Sequence, residues 1–229
     1  MILNFGPSLR VGGPAHATVD CGSFVAALND SYALTEEGST SHGLQIDLSP
    51  LGAYMLLGMP MKDLSELVVP LEDVLGTAAQ LLVEQLFLAR DWERRFEILD
   101  AFIASRLEEA GQPSPDVTWA WRRLADTGGQ LPIGDLVEEL GCSRRHLSSR
   151  FREQIGLAPK TTARILRFQR AVNLLGCDDG RRFAEIAESC GFYDQAHLNR
   201  DFRELAGTTP GSFVASRLPE GFGIAVDRL

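Results

Sequence analysis

The alternation of apolar and polar residues changes along the chain and divides it into regions. Up to about Leu48, short apolar runs are broken by Gly, Pro and Ser, which predicts strands separated by turns. The segment LQIDL alternates strictly, with Leu44, Ile46 and Leu48 on one face and Gln45 and Asp47 on the other. The first region is therefore expected to contain a β-sheet.

Helical spacing replaces this alternation from Ser49 onward. SPLGAYMLLG has an N-cap serine, a proline at the first helical position and a glycine stop. The segment from LGTAAQ to LEEAG then predicts one or two longer helices that end at Gly111. One face of these helices carries an apolar stripe: Phe96, Leu99, Ile103 and Leu107. This stripe packs on the strands of its own domain or forms an interface between two copies of the chain.

GQPSPD, residues 111–116, is predicted to be a linker because two prolines and a glycine cannot continue the preceding helix. After it, successive segments are helical in pattern, and each ends at Gly or begins near Ser, Thr, Asp or Pro. The expected organisation is an α+β domain over residues 1–110, the linker 111–116, an all-α domain over residues 117–218 and a C-terminal tail, 219–229.

One phrase occurs twice in the all-α region, as HLSSRF at residues 146–151 and as HLNRDF at residues 197–202. The correspondence extends upstream, where Leu136 and Gly141 match Ile186 and Gly191, with one extra residue in the second turn. A repeat that spans two helices and a turn indicates a duplicated supersecondary unit.

Each copy has a short helix, a turn that opens with glycine and a second helix, which is the pattern of a helix-turn-helix unit. At helical spacing, the second helices have apolar stripes formed by Leu147, Phe151 and Ile155 in one copy and by Leu198, Phe202 and Ala206 in the other. The opposite faces carry Arg145, Ser148, Ser149 and Arg152 in the first copy, and Ala196, Asn199, Arg200 and Arg203 in the second, with Gln195 at the leading end.

The charge of the chain is unevenly distributed. The formal net charge is -9, and residues 1–130 hold 8 Lys+Arg against 18 Asp+Glu. Residues 141–182 instead hold 10 Lys+Arg against 3 Asp+Glu, a net charge of +7. This basic block is a surface that a polyanion would bind, or else a solvated face.

Residues 116–218 resemble the C-terminal DNA-binding domain of AraC/XylS-type transcription regulators. GCSRRHLSSRFREQIGLAPK carries the resemblance, and IAESCGFYDQAHLNRDFRELAGTTPGSF carries it more strongly. It implies seven helices, with two helix-turn-helix units joined by a long helix that sets the two reading helices about 34 Å apart on one face of double-stranded DNA. It also implies a bacterial-type, sequence-specific regulator whose N-terminal domain binds a small-molecule effector or mediates homodimerisation, with RNA polymerase as a further partner.

The resemblance assigns roles to the exposed faces. It implies base readout by Arg145, Ser148 and Ser149 in the first unit and by Gln195, Ala196, Asn199 and Arg200 in the second. Candidates for phosphate contacts are Arg152, Arg164, Arg167, Arg170, Arg181, Arg182 and Arg203. Because Ala196 offers only an apolar contact, the second helix is expected to read few bases directly. His146 and His197 occupy matching places and either pack, contact phosphate or tune the response to pH.

Residue patterns that point to a function are weaker in the first domain. Tyr54 and Met55, on the apolar helix, are the candidate effector-binding residues. The four cysteines and four histidines lack the spacing of a disulfide framework or a metal site, and no catalytic motif is present, so no cofactor, no metal and no enzymatic activity are expected. The start MILNFGPSLR and the absence of a long apolar run predict a cytoplasmic protein without a membrane partner.

Two alternatives from other classes remain at this stage. One is a protein-interaction module whose helix-turn-helix units do not bind DNA. The other is an enzyme with an appended DNA-binding domain, which the missing catalytic motifs disfavour.

Overall fold

The computed structural model describes residues 1–14, 16–36, 42–64, 68–177 and 180–216, and the chain forms two compact units. Among these residues, the first unit comprises Met1–Asn29, Ala33–Thr118 and Arg145–Ala158, and the second comprises Asp30–Tyr32, Trp119–Arg144 and Pro159–Ser216. The two copies of the repeated second helix therefore lie in different units. The division of the sequence into a sensor domain, a linker and a DNA-binding domain stays a prediction.

The strands of the first unit are short and antiparallel. Within the described residues they are β1 (Ile2–Asn4), β2 (Leu9–Gly13), β3 (His16–Cys21), β4 (Phe24–Val25), β5 (Leu34–Glu36), β6 (Gly43–Gln45) and β7 (Val69–Pro70). One sheet has the order β6-β1-β4-β7 and the other has the order β3-β2-β5.

The alternation in LQIDL is confirmed in burial, although β6 ends at Gln45. Leu44, Ile46 and Leu48 pack against the main core of the unit, while Gln45 and Asp47 are exposed.

The helices of the first region follow their capping signals. In α1 (Pro50–Leu57), Ser49 Oγ accepts a hydrogen bond from the backbone N–H of Gly52 at 3.1 Å, as the sequence predicts. A 3₁₀ turn at Met61–Asp63 comes next, followed by α2 (Leu71–Leu75), α3 (Thr77–Leu88) and α4 (Trp92–Glu109). Two of these helices, α3 and α4, occupy the segment from LGTAAQ to LEEAG, in agreement with the predicted one or two. Gly76, between α2 and α3, has φ of 58°. Asp91, between α3 and α4, caps α4 by accepting a hydrogen bond from the backbone N–H of Arg94 at 2.8 Å.

The apolar stripe of α4 is divided between core and surface. Leu99 is buried, and Ile103 packs against the same core, which includes Leu3, Leu56 and Leu86. Phe96 and Leu107 are instead 50% and 37% exposed. The inner half of the stripe supports its own domain, and the outer half remains available to a partner.

Among the described residues, seven helices run from Pro115 onward, as the resemblance implied, and the first of them begins inside the predicted linker. They are α5 (Pro115–Asp126), α6 (Ile133–Leu140), α7 (Arg144–Ile155), α8 (Pro159–Leu175), α9 (Phe183–Ser189), α10 (Gln195–Ala206) and α11 (Pro210–Ala215). The two helix-turn-helix pairs are α6 with α7 and α9 with α10, and the long α8 joins them.

The core of the second unit is centred on α10. Leu198 and Phe202 are fully buried with Ile186, Ala187 and Ala171 from neighbouring helices. The ring of Phe202 lies edge-on to Phe168 at 4.7 Å and to Phe213 at 5.6 Å between centroids. Such aromatic pairs add to the free energy gained from apolar burial and hold α10 in one orientation.

Candidate nucleic-acid interface

The second repeated helix, α10, presents the polar face that its sequence predicts. Asp194 caps it by accepting from the backbone N–H of His197 at 2.7 Å. Opposite the buried stripe of α10 lie the predicted base-reading residues, of which Asn199 is half-buried and the others are exposed: Gln195, Ala196 and Arg200. Arg203, a predicted phosphate contact, is also exposed. Four candidates therefore reach solvent from one helix.

A charged network fixes α10 to α8. Arg164 Nε donates to Asp201 Oδ1 at 3.0 Å, and Arg164 Nη2 donates to the carboxylate of Glu204. The side chain of Asp201 is only 4% exposed, whereas that of Glu204 is 52% exposed. Burial alone would lower the pKa of Arg164, but the two carboxylates raise it above its ordinary value. Arg164 is therefore held as a cation within the protein.

Arg167 is also turned into the protein. Its Nη1 donates to the carbonyl oxygen of Gly129 at 2.7 Å, and burial lowers its pKa. The geometry of Arg164 and Arg167 favours structural roles over the phosphate contacts proposed for them.

The other predicted phosphate contacts lie nearer to solvent. Arg170, Arg181 and Arg182 are all exposed. The guanidinium of Arg182 pairs with Glu185, 2.6 Å from Nη2 to Oε1, at the start of α9. Arg152 of α7 is exposed as well.

The first repeated helix, α7, has the same division of faces. Leu147, Phe151 and Ile155 are buried, as predicted. Arg145 and Ser149 are exposed, and Ser148 is half-buried. These three residues line a groove of about 410 Å³ together with Arg152, Glu153 and Lys62 of the 3₁₀ turn.

Two residues beside the predicted readers were missed by sequence reasoning. Tyr193 directly precedes the cap of α10 and is 93% exposed, whereas its neighbour Phe192 is buried. The adjacent aromatic pair gave no sign of which ring would face solvent. Lys62 was missed because it lies more than 80 positions before α7 in the sequence. Only the fold brings it to the groove.

The predicted packing role of one histidine has direct support. The ring of His197 lies edge-on to Phe192, with 5.3 Å between centroids, and its Nδ1 accepts from the backbone N–H of Tyr193 at 3.4 Å. These contacts brace the turn before α10. His146 in α7 is exposed.

No helix in the described ranges is long and apolar enough to cross a membrane. Among the same residues, no cluster of three or more His, Cys, Asp and Glu side chains is placed to hold a metal ion. All four cysteines are free thiols.

Comparison with known proteins agrees with this geometry. A family model described as a helix-turn-helix domain matches residues 136–216. The Msm operon regulatory protein of Streptococcus mutans is 26% identical over 118 residues, which are 51% of this chain and 42% of that protein. The chain thus spans less than half the length of this curated relative.

Solved structures of ToxT from Vibrio cholerae have a similar fold. One, at 1.65 Å resolution, is 13% identical with a TM-score of 0.53 and covers 93% of this chain and 88% of that one. Another, of ToxT bound to an unsaturated fatty acid, is 14% identical with a TM-score of 0.51 and covers 99% and 88%.

The matched region is therefore a helix-turn-helix domain, a class that binds DNA in transcription regulators. More particularly, residues 136–216 hold two helix-turn-helix units, α6 with α7 and α9 with α10, joined by α8, as AraC-type domains have.

Proposed function

We propose that the chain is a sequence-specific regulator of transcription that reads DNA with α7 and α10. The observation that carries this proposal is the duplicated amphipathic helix. In both copies the apolar stripe is buried and the opposite polar face reaches solvent. Arginine pairs with guanine edges and asparagine and glutamine pair with adenine edges, so these faces have the donors and acceptors that readout in the major groove requires.

The recognised site is expected to have two unlike halves. Arg145, Ser148 and Ser149 on α7 differ in chemistry from Ala196, Asn199 and Arg200 on α10. Backbone phosphate contacts are assigned to the exposed arginines: Arg152, Arg170, Arg181, Arg182 and Arg203. These contacts add affinity without sequence preference.

Arg145→Ala and Arg200→Ala are each expected to relax one half of the site. Loss of a bidentate arginine–guanine contact costs about 1–3 kcal/mol, so affinity for the preferred duplex is expected to fall about 5- to 150-fold. The measurement is sequence selection from a random duplex pool, followed by fluorescence anisotropy at fixed salt, because phosphate contacts make affinity depend on salt.

Arg122→Ala is the matched control, since Arg122 is an exposed arginine on α5 outside both reading faces. It is expected to leave the selected sequence unchanged. If the whole chain selects no sequence, or if neither reading-face variant changes the selection, the helix-turn-helix units belong to a protein-interaction module instead.

Control by a small molecule is part of the proposal. Its support is the fold shared with ToxT, which has been solved with a bound unsaturated fatty acid. The predicted effector residues Tyr54 and Met55 lie half-buried on α1, and Tyr54 packs against the core of the first unit. Recruitment of RNA polymerase is proposed on the family resemblance alone.

We also propose that two copies associate through the corner between α3 and α4. Phe87, Leu88, Trp92 and Phe96 fall within ten residues of sequence and are 63%, 71%, 44% and 50% exposed. A cluster of large apolar side chains left in water is typical of an interaction site.

Leu88→Glu is expected to convert the dimer into a monomer, because it places a charge in the centre of this apolar corner. Size-exclusion chromatography with light scattering measures the mass. Val214→Glu, at a 46% exposed apolar position on α11, is the control that keeps the mass of the unmodified chain. A monomeric unmodified chain, or equal masses for both variants, would contradict the dimer.

A further inference from the structure

The groove on the reading face of α7 is formed by two parts of the chain that are distant in sequence. Lys62 lies on the 3₁₀ turn, whereas the rest of the lining is the polar side of α7: Arg145, Ser148, Ser149, Arg152 and Glu153. All six residues belong to the same compact unit.

Close packing holds the turn beside α7. Met61 is buried in the core of the first unit. Its carbonyl oxygen lies 3.4 Å from the position that a Cβ would take at Gly156, one residue after α7 ends. Gln154, on the inner side of α7, is 3% exposed, and its Oε1 accepts from the N–H of Ser114 at 2.9 Å. These contacts therefore hold the C-terminal end of α7 in place.

The lining is strongly cationic. Lys62, Arg145 and Arg152 surround the groove, and none of them forms an ion pair with a described residue. The single carboxylate, Glu153, already lies 3.7 Å from Arg150 Nη1. Cations placed together repel one another, and a bound anion removes this repulsion. The hydroxyls of Ser148 and Ser149 add two neutral hydrogen-bond donors.

We propose that this groove binds a compact dianion, either a phosphate group or a small dicarboxylate, and that the bound anion competes with DNA. This inference rests on the proposed function, since it assigns a regulatory ligand to the α7 face. The ligand and the DNA would use the same side chains, Arg145, Ser148 and Ser149. Lys62, which comes from outside the helix-turn-helix, would contact the ligand but not the DNA.

The groove is large enough for a small ligand. A volume of about 410 Å³ falls within the range of small-molecule sites. Docking in the major groove would use the same α7 side chains, and Lys62 of the 3₁₀ turn lies at the edge of that face. An anion that bridges Lys62, Arg145 and Arg152 would therefore occupy side chains that DNA needs.

The first test is isothermal titration calorimetry on the whole chain, with inorganic phosphate and with succinate at matched ionic strength. Lys62→Ala is expected to weaken binding of the preferred probe about tenfold or more, because it removes one of three cationic contacts. Lys160→Ala removes an exposed cation from α8, outside the groove, and is expected to bind like the unmodified chain. Binding of phosphate alone identifies a phosphate group as the ligand, and binding of succinate alone identifies a dicarboxylate.

The second test measures DNA affinity with and without the probe at constant ionic strength. The probe is expected to weaken DNA binding by the unmodified chain and to leave Lys62→Ala unaffected. Equal probe affinity in Lys62→Ala and Lys160→Ala, or no binding up to about 10 mM probe, would overturn the proposal. So would a several-fold loss of DNA affinity in Lys62→Ala without the probe, which would make Lys62 a DNA contact. Absence of any DNA binding would instead refute the proposed function, and calorimetry would still report on the anion site.

Discussion

Gly129→Ala is expected to destabilise the second unit by about 3 kcal/mol or more, because two separate costs coincide at this position. Gly129 has φ of 75°, a left-handed conformation that costs a residue with a Cβ about 1–2 kcal/mol. A Cβ there would also lie 2.1 Å from the carbonyl oxygen of Ala163 on α8. Since the clash involves backbone atoms, relief requires α8 to move, and overpacking of this kind typically costs a further 1–3 kcal/mol.

The displacement would also disturb the hydrogen bond from Arg167 to the Gly129 carbonyl oxygen. Urea unfolding followed by circular dichroism measures the loss of stability, and hydrogen exchange of α8 amides locates it. Gly141→Ala is the matched control, since Gly141 has φ of 61° but a Cβ there would meet no described atom within 4 Å beyond its immediate neighbours. It is expected to cost about 1 kcal/mol, and equal losses in the two variants would show that the approach to Ala163 carries no strain.

Local signals in the sequence account for much of the helical region. The repeat predicted two helix-turn-helix units, and helical spacing identified the buried stripes of α7 and α10 correctly, Ala206 being only half-buried. The caps at Ser49 and Asp194 also follow their residue types. These features depend on neighbours within a few positions, which is why a single sequence reveals them.

Features that depend on residues distant in the sequence could not be predicted from it. Spacing along α8 placed Arg164, Arg167 and Arg170 on one stripe, but it could not show that Asp201, 37 positions away, holds Arg164 inward. The strand order of the first unit likewise depends on distant residues, since nothing local specifies that β1 pairs with both β4 and β6. The base-reading assignments themselves stay predictions until DNA binding is measured.

Asp201→Ala is expected to destabilise the second unit by about 3 kcal/mol and to loosen α10. The variant removes a carboxylate that is 4% exposed and leaves the largely covered guanidinium of Arg164 with only its surface partner, Glu204. Breaking a buried ion pair by removing one partner costs about 3–5 kcal/mol, because the remaining charge loses its compensation. The value expected here is at the low end, since Arg164 is 23% exposed and water reaches it in part.

Glu204→Ala provides the control on the same guanidinium. Its carboxylate is 52% exposed, and a surface ion pair contributes about 0–1 kcal/mol, so this variant is expected to unfold almost like the unmodified chain. Urea unfolding gives the two free energies, and hydrogen exchange of α10 shows whether the helix itself has loosened. Because α10 also carries the predicted readers Asn199 and Arg200, loosening is expected to weaken sequence preference at one half of the DNA site. Equal stability losses for Asp201→Ala and Glu204→Ala would mean that burial of Asp201 contributes nothing to holding the reading helix.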